Sequence, residues 1–386
     1  MWIIPDALAR RFPLIARPRP ACHPLPQRVQ ALAELADSAA RTGDASMAST
    51  VYNQAALIAS DTGVPDMAHT LCHQHAAAYL DAAPLPGKAA IRALEPLINL
   101  ARLAIRAGQY DDGRRTLLQL FDAVSTNTPI TLFEDVAVPS GLTSTAGDRQ
   151  EVRAWLWRVL LADGTRALTT AGRWAEALTH VEAHHGVGQR MLDGRQVAVL
   201  AALTAGDTLR ANSLLADTKP GEPWEVAVTD CLSTVCHRTA GLPWQQTLQN
   251  LVTRHLGALD ADDLTVFHTQ LGLATLDLFT WHEEPEARAV VEELHRRTIK
   301  TSDGYAAREI LAHPLWATLA TDREAQECRL LLTSCALGAG TIPDELRDQL
   351  DHAVRTSDHT IRDSVTRQDH ACLTSSCMVG GGTSRP

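Results

Sequence analysis

From Val29 onward, apolar residues recur at steps of three and four: Leu32, Leu35 and Ala36, then Val51, Ala55, Ile58 and Ala59. That spacing keeps one face of a 3.6-residue helix apolar, so it predicts a succession of buried amphipathic helices. No stretch alternates for long as a half-buried strand would. Later helices are predicted over about Asp262–Trp281, Pro285–Thr298, Ala306–Leu319 and Arg323–Leu337. A final helix begins near Pro343, where proline suits the first helical position, and frays after Val354. Three segments break the pattern. Residues 1–26 hold Pro13, Pro18, Pro20, Pro24 and Pro26, which predicts an extended arm lying on the body. Residues 125–150 are rich in Pro, Gly and Thr and read as an irregular loop, a candidate functional insertion or a plain one. Residues 363–386, DSVTRQDHACLTSSCMVGGGTSRP, lack any apolar period and end in a Gly triplet, which predicts a flexible tail.

One phrase punctuates the helices: a helix ends in a small residue, a glycine follows, then a new amphipathic helix starts. It occurs around Gly43, Gly108, Gly172, Gly206 and Gly241, at intervals of 65, 64, 34 and 35 residues. These are one or two multiples of about 34, the length of a tetratricopeptide helix pair. No matching glycine is found between Gly43 and Gly108. Glycine suits the left-handed residue that closes one helix before the next folds back. The stretch LADGTRALTTAGRWAEALTHVEAHH, with Leu168, Ala171, Gly172, Trp174, Ala177 and Leu178, resembles a tetratricopeptide repeat, and the looser resemblance spans about Val29–Leu319. It implies an all-α, tetratricopeptide-like alpha solenoid over residues 27–342, followed by a terminal helix and linker over 343–362 and a disordered C-terminal tail.

Composition narrows the chemistry. Apolar residues make up 45% of the 386, enough for a substantial core, and the length implies two domains or one stack of repeats. The net charge of −10 argues against a nucleic-acid face, although Arg10, Arg11, Arg17 and Arg19 make a local basic patch. No apolar run suits a signal peptide or a membrane span, so a cytoplasmic protein is expected. His69 and His73 in HTLCHQH share a helix face, with Cys72 and His75 beside them, yet no third metal ligand follows from the spacing. His180, His184 and His185 read the same way. Cys231 with Cys236, and Cys328 with Cys335, fit neither a redox pair nor a zinc knuckle, and the second pair shares a core-facing helix side. No phosphate loop, dinucleotide fingerprint or nucleophile elbow occurs, so neither catalysis nor a cofactor is expected. Trp155 and Trp157 point to different faces, so at most one is core. Together with Trp224 they are candidate partner anchors, while Trp174 reads as core.

The tail carries the remaining chemistry. Thr374–Cys377 has a T-x-x-C spacing and Ser375–Cys377 an S-x-C spacing, with Ser376, Cys372, Ser364 and Thr366 close by. In composition and spacing these residues resemble the core of a lanthipeptide-type precursor among ribosomally made, post-translationally modified peptides. The resemblance implies dehydration of Ser and Thr and thioether closure by the thiols, carried out by kinase-, lyase- or cyclase-type enzymes. The helical body would then be a folded leader on which they dock. The alternative is a tetratricopeptide-like adaptor with an unmodified tail. A third reading takes His370, Cys372, Cys377 and Met378 as a soft-metal clasp.

Overall fold

The structure is a computed structural model. It describes residues 2–133, 136–258, 264–279 and 285–379, with side chains as far as residue 367. Among these residues the regular structure is helical apart from one short hairpin, and residues 12–24 run without helix. Its contacts divide it into two compact units, each made of two stretches of sequence.

Unit 2 comprises Pro26–Leu160 and Gly338–Pro386. Its helices are α2 (Leu25–Thr42), α3 (Ala45–Asp61), α4 (Pro65–Leu80), α5 (Gly87–Arg106), α6 (Tyr110–Thr126), α7 (Ala146–Val159) and α19 (Asp344–Val379). From α3 to α7 each helix packs on the next, and α5 also touches α3 and α7. The segment expected to be an irregular loop holds an antiparallel hairpin, β1 (Ile130–Leu132) paired with β2 (Val136–Val138), Ile130 facing Val138. The chain after it is tied down through Leu85, whose N–H donates to Leu142 O and whose carbonyl accepts from Ser144 N.

Unit 1 comprises Met1–Leu25 and Leu161–Leu337. It contains α1 (Asp6–Arg10), a π-turn at Leu160–Gly164, α8 (Thr165–Thr170), α9 (Trp174–Ala183), α10 (Asp193–Thr204), α11 (Thr208–Ala216), α12 (Pro223–Ala240), α13 (Gln245–Gly257), α14 (Thr265–Leu276), α15 (Pro285–Thr301), α16 (Gly304–Leu311), α17 (Pro314–Leu319) and α18 (Asp322–Ser334). Here too the helices from α8 to α17 pack on their sequence neighbours, around a core that runs from Leu8 and Phe12 through Val199, Leu232 and Leu271 to Trp316 and Cys328. The helix predicted over Ala306–Leu319 is two helices. Pro314 offers no N–H, and His313 before it is extended, so the chain turns there.

All five glycines of the recurring phrase take positive φ, between 66° and 82°. In each case the N–H of the following residue bonds the carbonyl five residues back, as Gln109 does to Ala104 and Arg173 to Leu168, both at 2.9 Å. This is the Schellman closure that glycine permits. The turn missing from the sequence phrase is at Gly63, with φ 80° and a bond from Val64 N to Ala59 O. It escaped the pattern because it stands 20 residues after Gly43 and 45 before Gly108, off the interval of about 34.

The final helix corrects a sequence expectation. It does not fray after Val354 but continues to Val379, so Ser364 and Thr366 stand on a helix. Packed against α3 and α4, it buries Leu350, Ala353, Val354, Ser357, Thr360, Ile361 and Val365, an unbroken stripe at three- and four-residue steps. Ser357 and Thr360 hide that stripe from an apolar count, because small hydroxyl side chains occupy its middle. The approach to α19 is fixed by Gly338 N and Gly340 N, which donate to Asp61 O and Thr62 O at 2.8 and 2.7 Å.

Candidate functional site

Within unit 2, α5 is the helix most enclosed by others, since α3, α4, α6 and α7 all pack on it. From Ala89 to Ala101 its side chains are buried, apart from half-buried Ile91 and one polar line. That line is Arg92, Glu95 and Asn99, and it continues into exposed Arg102 and Arg106. The steps of three, four, three and four keep it on one face, over roughly 21 Å of helix axis. It is the complement of the buried stripe: three cations, a carboxyl and an amide along the edge of α5 that borders α3 and α4.

Helix α3 flanks this line. Asn53 Nδ2 donates to Glu95 Oε2 at 2.9 Å, and Asn99 Nδ2 donates to Asn53 Oδ1 at 3.0 Å. Arg102 donates to Asn99 Oδ1 at 3.1 Å, and Arg106 donates to Ser60 Oγ at 2.9 Å. Arg106 also lies 3.5 Å from Asp61, a carboxylate already bonded by Arg28 at 2.7 Å. Burial holds the Glu95 carboxyl above its ordinary range, against the pull of Asn53, Arg92 and Arg102. The line therefore carries guanidiniums in excess of carboxylates, in a chain whose total charge is −10. Two carboxamides at its centre can each offer a donor and an acceptor to a polypeptide backbone.

Beneath one end of this line lies a polar core that fixes α3, α4 and α19. His75 is 1% exposed and stacks on Tyr52, with centroids 4.9 Å apart and planes 5° from parallel. Tyr52 donates to Asp358 of α19 at 3.0 Å, and Arg362 holds the other oxygen of the same carboxylate at 2.8 Å. Tyr79 meets Ser49 Oγ at 2.7 Å and accepts from Arg92 Nε at 3.2 Å. Burial first, then the nearby Arg92 charge, lowers the His75 pKa to about 3, so the ring is neutral. Burial and the Asp358 carboxylate push the Tyr52 hydroxyl far up.

The residues singled out from sequence are scattered. Trp155 on α7 is half-buried and Trp157 is 38% exposed, both in unit 2, whereas Trp224 lies in unit 1, half-buried and edge-on to Phe267 at 5.9 Å. Trp174 is core at 6%. His69 is exposed, and His73 meets the Phe133 ring edge-on at 6.4 Å. His180 is buried against His184, with centroids 4.9 Å apart, and exposed His185 is left-handed at φ 53°. No group of three metal-binding side chains occurs among the described residues. Cys22, Cys72, Cys231, Cys236, Cys328 and Cys335 are all buried and outside any disulfide, and Cys335 Sγ donates to Cys22 O at 3.0 Å. Burial pushes the Cys72 and Cys328 thiols up to about 12, which leaves them unreactive. On α19, Ser364 is half-buried and Thr366 is exposed, with its hydroxyl donating back to Arg362 O at 2.9 Å. The side chains of His370, Cys372, Thr374, Ser375, Ser376, Cys377 and Met378 lie outside the described residues, and so do residues 380–386. No described helix is long and apolar enough to cross a membrane.

The α5 line was not recognised from sequence, although its signal is there: a strict helical period of polar residues within an otherwise apolar helix. Its flanking partners on α3 carry no comparable signal. Comparison with family models, with curated proteins and with solved structures returned no match.

Proposed function

We propose that this chain is a scaffold for protein segments, built as a tetratricopeptide-like stack of helix pairs and presenting the polar face of α5 as a docking surface. The observation that carries this reading is the line Arg92–Glu95–Asn99–Arg102–Arg106, with Asn53 beside it, on a helix otherwise enclosed by its neighbours. The neighbour-on-neighbour packing and the repeated glycine turn support the stack, since helix pairs of this kind leave one helix of each pair on an inner face. Catalysis, in this reading, belongs to the partner. The test is a photo-crosslinking residue at position 102, in cells that make the protein, compared with one at Arg323, which is 82% exposed in unit 1. A discrete adduct from position 102 that is lost with Asn99→Ala supports the reading. The same diffuse adducts from both positions overturn it.

A second reading keeps the scaffold and makes the C-terminus its cargo, the core of a lanthipeptide-type precursor. It is favoured by the distribution of thiols: the six in the body are buried, which leaves Cys372 and Cys377 in the terminal segment with Thr374, Ser375, Ser376, Thr366 and Ser364. Docking on α5 would then raise the local concentration of that segment at modifying enzymes. Intact mass and C-terminal fragmentation of the protein from its own producer decide the matter. Loss of one or more waters with thiols closed to alkylation supports the precursor, and an unmodified mass with both thiols free leaves the scaffold alone.

A further inference from the structure

The first two dozen residues belong to unit 1, far in sequence from the rest of it. The apolar anchors are Leu8, Phe12, Leu14 and Cys22, none more than 3% exposed. That alone would make the segment an ordinary piece of core. Its polar contacts are of another kind, because helix after helix supplies a side chain or a helix terminus that reads the segment. Asp277, at the end of α14, accepts from Arg11 Nε at 2.7 Å, and Gln270 on the same helix accepts from Arg11 at 3.2 Å. Gln196 of α10 accepts from Leu14 N at 2.7 Å and donates to Leu14 O at 2.8 Å, pairing with one residue's backbone as a neighbouring strand would. Asp193, at the start of α10, accepts from Arg17 at 2.8 Å. At the start of α16, Asp303 accepts from Cys22 N at 3.0 Å, and Gly304 N donates to Cys22 O at 2.8 Å.

These receptor groups are also held by contacts that do not involve the segment. Asp277 is bonded by His313 Nε2 at 3.0 Å, and His313 Nδ1 accepts from Trp316 N at 3.3 Å. Gln196 Nε2 also donates to Met191 O at 3.1 Å. Asp303 caps α16 by accepting from Tyr305 N at 2.9 Å. The polar groups of such a site stay ordered when it empties, so the cost of emptying is the exposure of the apolar pocket that holds Leu8, Phe12, Leu14 and Cys22.

We propose that unit 1 contains a binding site for an extended protein segment of the pattern arginine–apolar–proline–apolar, and that Arg11-Phe12-Pro13-Leu14 with its flanks is the ligand held there in cis. A second segment of that chemistry competes for the site. Arginine is read by Asp277 and Gln270, the residue after proline by Gln196, and the downstream backbone by Asp303 and Gly304. This deepens the reading of the chain as a scaffold for protein segments, but it rests on unit 1 and not on α5.

The experiment keeps the full chain. A protease recognition sequence is inserted between exposed His23 and Pro24 and cleaved in the folded protein, so that residues 1–23 remain in place without a covalent tie. A labelled peptide of residues 2–23 is then added in excess. The expected result is saturable replacement of the cleaved segment with the helical signal unchanged. An Arg11→Ala peptide is expected to bind at least about tenfold more weakly, the cost of leaving Asp277 without its cation. Gln196→Ala in the body should weaken the parent peptide by a similar factor. If the cleaved segment never leaves a folded body, if the chain unfolds as it leaves, or if a scrambled peptide exchanges equally well, the segment is core and the proposal falls. None of these failures touches the α5 crosslinking test, so the two readings fail separately.

Discussion

Lowering the pH from 7 to 5 should weaken both units, through one buried histidine in each. In unit 2 His75 is enclosed by Tyr52, Tyr79 and the walls of α3 and α4, with Nε2 lacking any partner. In unit 1 His255 is fully buried, and neither ring nitrogen has a partner. Burial lowers both to about 3, helped by Arg92 in the first case and by Arg297 and then His268 in the second. The unfolded chain binds a proton at each near pH 6.5, whereas the folded chain does not do so until about pH 3. Each histidine therefore leaves stability untouched above that unfolded value and removes it progressively as the pH falls toward 3. At pH 5 the loss is about 1.5 pH units times 1.36 kcal/mol, or about 2 kcal/mol for each unit. The figure at pH 5 needs only that the folded value lie well below 5. The assay is urea unfolding at pH 7, 6 and 5, followed by a hydrogen-exchange pulse at one common pH that scores peptides from α4 and α13 separately. His75→Phe keeps a ring on Tyr52 and should flatten the pH dependence of α4 by that amount while leaving α13 unchanged. If the His75→Phe chain loses as much α4 stability between pH 7 and 5 as the parent, His75 titrates normally and the reasoning is wrong.

Further outcomes follow from single contacts. Gly108→Ala meets no atom within 4 Å, so its cost is the left-handed backbone alone, about 1–2 kcal/mol in a denaturant melt. Gly272→Ala places a methyl 2.7 Å from Leu294 and 2.8 Å from the His255 ring, and should cost more, up to about 3 kcal/mol. Glu324 receives both Arg288 nitrogens at 2.9 Å and Thr321 N at 2.7 Å, and despite burial these bonds lower its pKa to about 2. Its contribution is complete above the unfolded carboxylate value and is lost as the pH falls from about 4.5 toward 2. Glu324→Gln should remove that acid-range slope, measured as urea stability of α18 by exchange. Ile361→Ala, at 0% exposure between α19 and α3, should cost about 2–5 kcal/mol and expose α19 to protease before the rest of unit 2. In the native protein no more than two thiols should react quickly with iodoacetamide, since Cys22, Cys72, Cys231, Cys236, Cys328 and Cys335 are buried, and all eight should react in denaturant.

What the sequence determined by itself is the class of structure and its punctuation. An apolar period of three and four residues fixes helices because it leaves one face to bury. Glycine after a small residue fixes their ends because no other residue takes positive φ so readily, and Gly43, Gly108, Gly172, Gly206 and Gly241 all take it. The prolines from Pro13 to Pro24 leave residues 12–24 without helix, whereas Asp6–Arg10 ahead of them, expected to be extended, is the short helix α1. Cys328 with Cys335 reads correctly as core. The tertiary structure decided where polar residues are tolerated, which an apolar count cannot see. Ser357 and Thr360 are buried only because α3 and α4 cover them, and that cover carries α19 past its expected end. Arg92, Glu95, Asn99, Arg102 and Arg106 form a face only because neighbours enclose the rest of α5. Gln196 holds Leu14 across 182 residues of sequence, a pairing of one amide with one backbone that no local pattern encodes. Local periodicity is a property of a segment, whereas the burial of a hydroxyl or a carboxamide depends on what other segments bring to it.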